Sequence, residues 1–162
     1  MKRKVMVVVL SVLLLMAMGI VPLTASADSN IKIMKVNVTG ARLRTGPSAE
    51  YEVRKSLSKG AKVFYLNKMK NSFAYVRTSK GTLGYIYKGY LDSYGTCKKS
   101  QVYYAKKSAK VYKKAKSGAK KVTTLSKKEH VIVYQVKGNW AYIKKLNGTG
   151  GYVKKSVLSK AS

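Results

Sequence analysis

Cys97 and His130 are the only cysteine and histidine in the 162-residue sequence. Together they would be the raw material for a thiol nucleophile and its base. Such a pair needs the base within hydrogen-bond reach of the thiol and a third group to orient it. Cys97 lies in a polar stretch, Gly95-Thr96-Cys97-Lys98-Lys99-Ser100, and His130 opens an apolar run in Lys128-Glu129-His130-Val131. Nothing in the sequence joins them, so no catalytic dyad is expected. One Cys and one His cannot complete a four-ligand zinc site. The five acidic residues do not cluster as a glycosidase pair would, and no Gly-rich phosphate loop is present. The expectation is a protein with no enzymatic activity, no metal and no cofactor. A lone cysteine leaves either a free thiol or an intermolecular bridge.

The chemistry that is present is cationic and aromatic. The chain carries 34 Lys plus Arg against 5 Asp plus Glu, a formal net charge of +29, together with 13 Tyr and one Trp. Arg42, Arg44, Arg54 and Arg77 all fall in the first half of the chain beyond the leader, whereas the second half is entirely lysine. Arginine offers a planar fork that matches phosphate or carboxylate, and lysine offers a hydrated point charge that suits dispersed anions. Arg42 and Arg44, with Tyr51, Tyr87, Tyr90, Tyr103 and Tyr104, are the candidate ligand-binding residues. These tyrosines fall near loops or domain edges, where an exposed ring can stack on a sugar or pack against a peptide. Phe73, Tyr85, Trp140 and Tyr152 sit inside strand-like runs and are expected in cores. A solvated charge run is the ordinary explanation of surface lysines, but solubility alone does not require such an excess of one sign.

The segments that must carry these residues begin after residue 27. Lys2, Arg3 and Lys4 precede an almost wholly apolar run from Val5 to Val21, Pro22 breaks it, and Ala25-Ser26-Ala27 supplies a small-residue cleavage pattern. Residues 1–27 read as a cleaved signal peptide. An uncleaved anchor is the alternative, because the apolar run is nearly long enough to span a bilayer. No apolar tail follows at the C-terminus, so no transmembrane segment is expected once the signal is removed. Cleavage would remove three cations and no acid, lowering the net charge from +29 to +26.

The remaining chain repeats itself. Lys55-Ser56-Leu57-Ser58-Lys59 matches Thr123-Thr124-Leu125-Ser126-Lys127 at an offset of 68. Phe73-Ala74-Tyr75-Val76 matches Trp140-Ala141-Tyr142-Ile143 at 67, and Gly84-Tyr85-Ile86 matches Gly151-Tyr152-Val153. A match that persists along the unit with one deletion in a turn marks duplicated domains. Within each unit short β-branched and aromatic runs alternate with turn signals such as Lys80-Gly81 and Asn147-Gly148. No helical periodicity is sustained over several turns. Five or so strands are expected per unit, with one helical turn near Gly89 to Leu91. The expected fold class is all-β, two small units spanning 31–95 and 101–162 with a connector at 96–100. Residues 31–95 hold 13 basic and 3 acidic residues, and residues 96–162 hold 18 and 1.

Val38-Thr39-Gly40-Ala41-Arg42-Leu43-Arg44-Thr45-Gly46-Pro47-Ser48 resembles the opening strand, arginine and Gly-Pro turn of bacterial SH3 (SH3b) domains. Leu57-Ser58-Lys59-Gly60, Phe73-Ala74-Tyr75-Val76, Gly84-Tyr85-Ile86 and Tyr90-Leu91 continue the resemblance in order. The second unit keeps Trp140-Ala141-Tyr142-Ile143, Gly151-Tyr152-Val153 and Val157-Leu158. It departs at Ala109-Lys110-Val111-Tyr112-Lys113-Lys114-Ala115, which has no Gly-Pro turn. The resemblance implies two tandem SH3-like barrels after the signal peptide. It also implies targeting of an exported protein to peptidoglycan, with a separate wall hydrolase as a protein partner. With the export signal and the basic excess, the expectation is a secreted or cell-wall-associated protein that binds an anionic wall polymer, peptidoglycan or teichoic acid, mainly through its charge. A secreted adhesin or matrix protein binding anionic host glycan or extracellular nucleic acid is the alternative. Basic residues interleaved with aromatics also describe a nucleic-acid binder, and the export signal argues against that role inside the cell.

Overall fold

The computed structural model describes residues 29–161, and the expected signal peptide at 1–27 lies outside them. The first repeat contributes β1 (Asn30–Val36), β2 (Ala41–Arg44), β3 (Val53–Leu57), β4 (Lys62–Lys70), β5 (Phe73–Thr78), β6 (Leu83–Tyr87) and β7 (Leu91–Lys98). The second contributes β8 (Val102–Ala105), β9 (Ala109–Tyr112), β10 (Lys121–Leu125), β11 (His130–Lys137), β12 (Trp140–Lys145), β13 (Gly150–Lys154) and β14 (Leu158–Lys160). The two sheets have the same strand order, β3-β2-β6-β5-β4-β1-β7 and β10-β9-β13-β12-β11-β8-β14. The duplication read in the sequence is thus a duplication of topology. Each unit has seven strands rather than about five. The additional ones include β3, whose residues Val53-Arg54-Lys55-Ser56 are all exposed on a sheet edge and carry no apolar run. A single 3-10 turn, Lys88–Tyr90, links β6 to β7, and Lys155–Val157 repeats it in the second unit.

Each sheet closes on its own core. Met34, Leu43, Leu57, Val63, Val76, Ile86 and Leu91, one from each strand of the first sheet, meet in one cluster. Ala105, Val111, Leu125, Val133, Ile143, Val153 and Leu158 do the same in the second. A sheet whose seven strands share one core must fold back on itself as a small barrel. The interior is aliphatic. Along β5 the alternation puts Ala74, Val76 and Thr78 inside and turns Phe73, Tyr75 and Arg77 outward to half-buried positions. Phe73, Tyr85, Trp140 and Tyr152, expected in the core, are therefore half-buried on the outer face. The reason is the period of two: Ala74, Ile86, Ala141 and Val153 are their immediate neighbours, and those small residues take the cramped interior.

The approach of β2 to β6 is set by Gly84. A Cβ there would lie 2.7 Å from the Arg44 carbonyl oxygen and 2.8 Å from Leu43 Cγ. Gly151 repeats this against β9, with 2.7 Å to Val111 Cγ1 and 2.8 Å to the Tyr112 carbonyl oxygen. The Gly-Tyr-aliphatic motif shared by both units is thus a contact between strands.

The stretch 96–100, expected as a connector, is structured throughout. β7 runs to Lys98, a 3-10 turn spans Lys99–Gln101, and the Lys99 N–H donates to the Ser29 carbonyl at 2.9 Å. Cys97 is buried, not surface-exposed in a polar loop. It belongs to a third apolar cluster with Ile33 and Phe64 from the first repeat and Val102, Ile132, Leu146 and Ala161 from the second. The two barrels are packed together across this cluster.

Candidate binding site

Strand β2 leaves two side chains outside the first barrel. Ala41 and Leu43 point inward, so Arg42 and Arg44 must point outward. Arg44 is half-buried, and its Nη1 donates to the Tyr51 carbonyl at 2.7 Å. That bond ties the guanidinium to the loop 45–52, which is closed by the Thr45 N–H donating to the Glu52 carbonyl at 3.0 Å. The Gly46-Pro47 turn at its start lets the Tyr51 ring lie against the backbone, because a Cβ at Gly46 would run into that ring.

Opposite β2 stands an aromatic row. Phe73 on β5 meets Tyr87 on β6 with ring centres 5.8 Å apart, and Tyr87 meets Tyr90 edge-on at 5.1 Å. Gly89 allows the Tyr87 ring to settle over the 3-10 turn, since a Cβ there would lie 2.6 Å from Tyr87 Cε1. Between the arginines and this row runs a groove of about 590 Å³, lined by Val38, Ala41 and Ala49 as well as Arg42, Arg44, Phe73, Tyr87 and Tyr90. Tyr87 and Tyr90 remain 43% and 40% exposed, so their ring faces are available. An apolar cleft with a few convergent polar groups is the usual form of a small-ligand site. Here the polar groups are two guanidinium forks. The neighbouring Glu50 and Glu52 are exposed.

Of the seven residues singled out from the sequence, Arg42, Arg44, Tyr87 and Tyr90 converge on this groove. Tyr51 lies beside it and supplies the carbonyl that holds Arg44. Tyr103 and Tyr104 do not join them. Both are half-buried on β8, Tyr103 against the second core and Tyr104 against the cluster between the repeats, so neither is the exposed surface ring expected. Phe73 is a groove residue that the sequence reading assigned to the core. The signal for it was its position directly across from Tyr87, a pairing that only the sheet register supplies.

The second repeat carries different side chains at the same positions. The registers of Arg44 with Tyr85 and of Tyr112 with Tyr152 make Tyr112 the counterpart of Arg44 and Lys110 that of Arg42. Trp140 replaces Phe73 and Lys154 replaces Tyr87, as their pairings show. Tyr112 packs edge-on against Trp140 at 5.8 Å. Both arginines and the outer tyrosine are therefore absent from the second unit's version of the groove.

The two residues with nucleophile and base chemistry lie elsewhere. Burial pushes the Cys97 thiol up to about 11, so it stays protonated at neutral pH. His130 is 8% exposed, with Nδ1 3.0 Å from the Lys128 carbonyl oxygen and its ring beside Phe64 and Tyr104. Burial and then the nearby Arg77 hold its pKa below the ordinary value, partly offset by the Lys128 carbonyl. Glu129 is buried too. Its Oε1 is 3.0 Å from Lys145 Nζ and its Oε2 accepts from the Ser126 N–H at 2.9 Å. Among the described residues no group of three or more His, Cys, Asp or Glu is placed to hold a metal.

A model of the bacterial SH3 domain matches the chain twice, over residues 39–92 and 107–159. No curated protein matches it. Three solved structures are similar: NlpC2 and NlpC1 from Trichomonas vaginalis and an NlpC/P60 family protein from Bacillus cereus ATCC 10987. Their sequence identities are 15%, 16% and 12%, with TM-scores of 0.35, 0.35 and 0.33. They cover 81%, 85% and 81% of this chain, and 48%, 48% and 56% of their own lengths are matched, so the chain spans about half of each. The two matched ranges each hold the strands from β2 or β9 to the 3-10 turn, and the chain belongs to the bacterial SH3 domain family as a tandem pair of SH3 domains.

Proposed function

We propose that this is a secreted, non-catalytic cell-wall-binding protein, and that the groove of its first SH3 domain takes the peptide portion of peptidoglycan. The observation that carries this reading is the meeting of Arg42 and Arg44 with Phe73, Tyr87 and Tyr90 around one groove. Guanidinium forks pair bidentately with carboxylates, which wall peptides carry at their ends and side chains. The aromatic row offers flat apolar faces for the aliphatic parts of such a peptide. Family membership supports a binding role, and the net charge of +26 left once residues 1–27 are removed supports attraction to an anionic wall. A protonated Cys97 and a buried His130 support the absence of catalysis.

The two kinds of cation separate in a salt series. At ~1 M salt the screening length is about 3 Å, so long-range lysine attraction is lost while a desolvated arginine–carboxylate contact persists. Full-length protein should co-sediment with purified Gram-positive walls at low salt and keep a fraction bound at high salt. Arg42→Ala and Tyr87→Ala should each abolish the salt-resistant fraction and leave low-salt binding largely in place. Failure of the intact protein to bind walls at low salt, or undiminished high-salt binding by both variants, overturns the proposal.

A further inference from the structure

A second groove, of about 420 Å³, opens between the repeats and is built from both. Its walls are the β3–β4 turn of the first repeat and the β5–β6 turn, with the β12–β13 turn of the second repeat closing it through Leu146 and Asn147. Lys55, Lys62 and Lys80 line it, together with the hydroxyl side chains Ser56, Ser58 and Ser79. No acidic and no aromatic residue is among its lining. In this it is the opposite of the first groove, which has rings and guanidinium forks and no lysine.

Lys80 is held across the boundary between the repeats and Lys62 within the first repeat. Lys80 Nζ donates to Ser126 Oγ of the second repeat at 3.2 Å, with two of its three N–H donors left over. Lys62 Nζ sits 3.8 Å from the centre of the Tyr94 ring. Lys144 of the second repeat lies near enough to act with Lys62 on the Tyr94 hydroxyl, whose pKa is lowered first by Lys62 itself. Asn147, which lines the groove, accepts from the Thr149 N–H at 3.0 Å through Oδ1, so its amide N–H groups are the donors it can offer a ligand. Of the four acids among the described residues, Glu129 is paired with Lys145 and Asp92 accepts from Asn37 at 2.9 Å, while none of the four lines the groove.

We propose that this groove between the repeats binds a phosphodiester polymer of small polyol units, with Lys55 and Lys80 on its phosphates and Ser56, Ser58 and Asn147 on its hydroxyls. Phosphate groups spaced along a chain suit several point charges better than one fork. Hydroxyl and amide donors suit a polyol, and the lack of any ring in the lining removes the stacking platform that single-stranded nucleic acid uses. The site is composite, so it exists only while the two domains are packed together. It is independent of the peptide groove proposed above.

The test is calorimetric titration of the full chain with a synthetic glycerol-phosphate oligomer at low salt. The double variant K55Q/K80Q should bind about tenfold more weakly. The pair K110Q/K154Q, the same change in charge at the second repeat's counterpart of the first groove, should change affinity by less than about twofold. Asn147→Asp places a negative charge in the groove from the second repeat and should also weaken binding about fivefold. Tyr87→Ala should leave it unchanged. Circular dichroism establishes that each variant is folded, and Asn147→Asp provides the second arm if K55Q/K80Q is not. Equal losses in the two lysine pairs would mean that net charge alone attracts the polymer, and would overturn the site. Equally tight binding of oligothymidylate of the same charge, or loss of binding in Tyr87→Ala, would overturn the assignment of polymer or place.

Discussion

Arg44 and His130 show how differently two polar side chains can be used in one small protein. Arg44 keeps its charge at the surface and is steadied by one backbone carbonyl, which leaves the rest of the fork for a ligand. His130 is enclosed where the repeats meet: its backbone N–H donates to the Ser79 carbonyl at 2.8 Å, and its ring faces Phe64, Tyr104, Arg77 and the Lys128 carbonyl. With its pKa held below the ordinary 6.5, the folded protein resists a proton that the unfolded chain accepts. Above the ordinary value both states are neutral and the stability is fully present. As pH falls below it the unfolded state gains protons first, and stability declines until the folded-state pKa is passed. The urea midpoint should therefore drop as pH falls through and below the ordinary 6.5, and His130→Gln should flatten that part of the profile. An unchanged slope in His130→Gln would assign the pH dependence to other groups.

At the scale of the strand, the repeated glycines carry more of the fold than the repeated tyrosines beside them. Gly84 and Gly151 sit where one strand backs onto another, and a methyl group at either would meet a backbone carbonyl that cannot move aside alone. Gly84→Ala and Gly151→Ala should each cost about 1–3 kcal/mol, the usual range for overpacking. Gly95 on β7 has nothing within 4 Å of an added Cβ, and Gly95→Ala should be neutral or slightly stabilising. Thermal denaturation of the three variants checks this, and a Gly95→Ala loss as large as the others would remove close approach as the cause. Loss of packing at Gly84 would also shift β2, so Gly84→Ala should weaken wall binding along with stability.

For the whole molecule the third core matters most. Phe64, 1% exposed, and Ile132, 4% exposed, lie on strands whose other face already serves a barrel core. Burial on both faces couples the two domains, because neither can open without uncovering the other's apolar surface. Calorimetry of the full chain should show one unfolding transition. Phe64→Ala should cost about 3–5 kcal/mol and split the transition in two. Two transitions in the unaltered protein would show that the domains are merely neighbours. The same coupling keeps the two grooves at a fixed separation, so that a wall peptide and a polyol phosphate chain would be held by one rigid body.

The all-β class and the duplication were legible in the sequence, and so was the candidacy of Arg42, Arg44, Tyr87 and Tyr90, because these rest on residue type and local pattern; the strand order was not. Alternation along a strand, turn residues and a persistent offset of 67 or 68 need no knowledge of distant contacts. Arg42 and Arg44 alternate with the buried Ala41 and Leu43 along β2. Which aromatics face outward was not legible, since Phe73-Ala74-Tyr75-Val76 fits either phase until β4 and β6 fix the face. The packing of the domains leaves a mark in the burial pattern of single strands. His130-Val131-Ile132-Val133 is buried without a break, and Ile33-Met34 and Val63-Phe64 are buried pairs, where a strand open to water on one side would alternate. A continuous apolar run shows that a second face is covered, but it does not say by what. Only the tertiary structure brings those faces together, and with them the lysines, serines and Asn147 of the groove between the repeats, because that juxtaposition depends on contacts between residues some seventy to ninety positions apart in the chain.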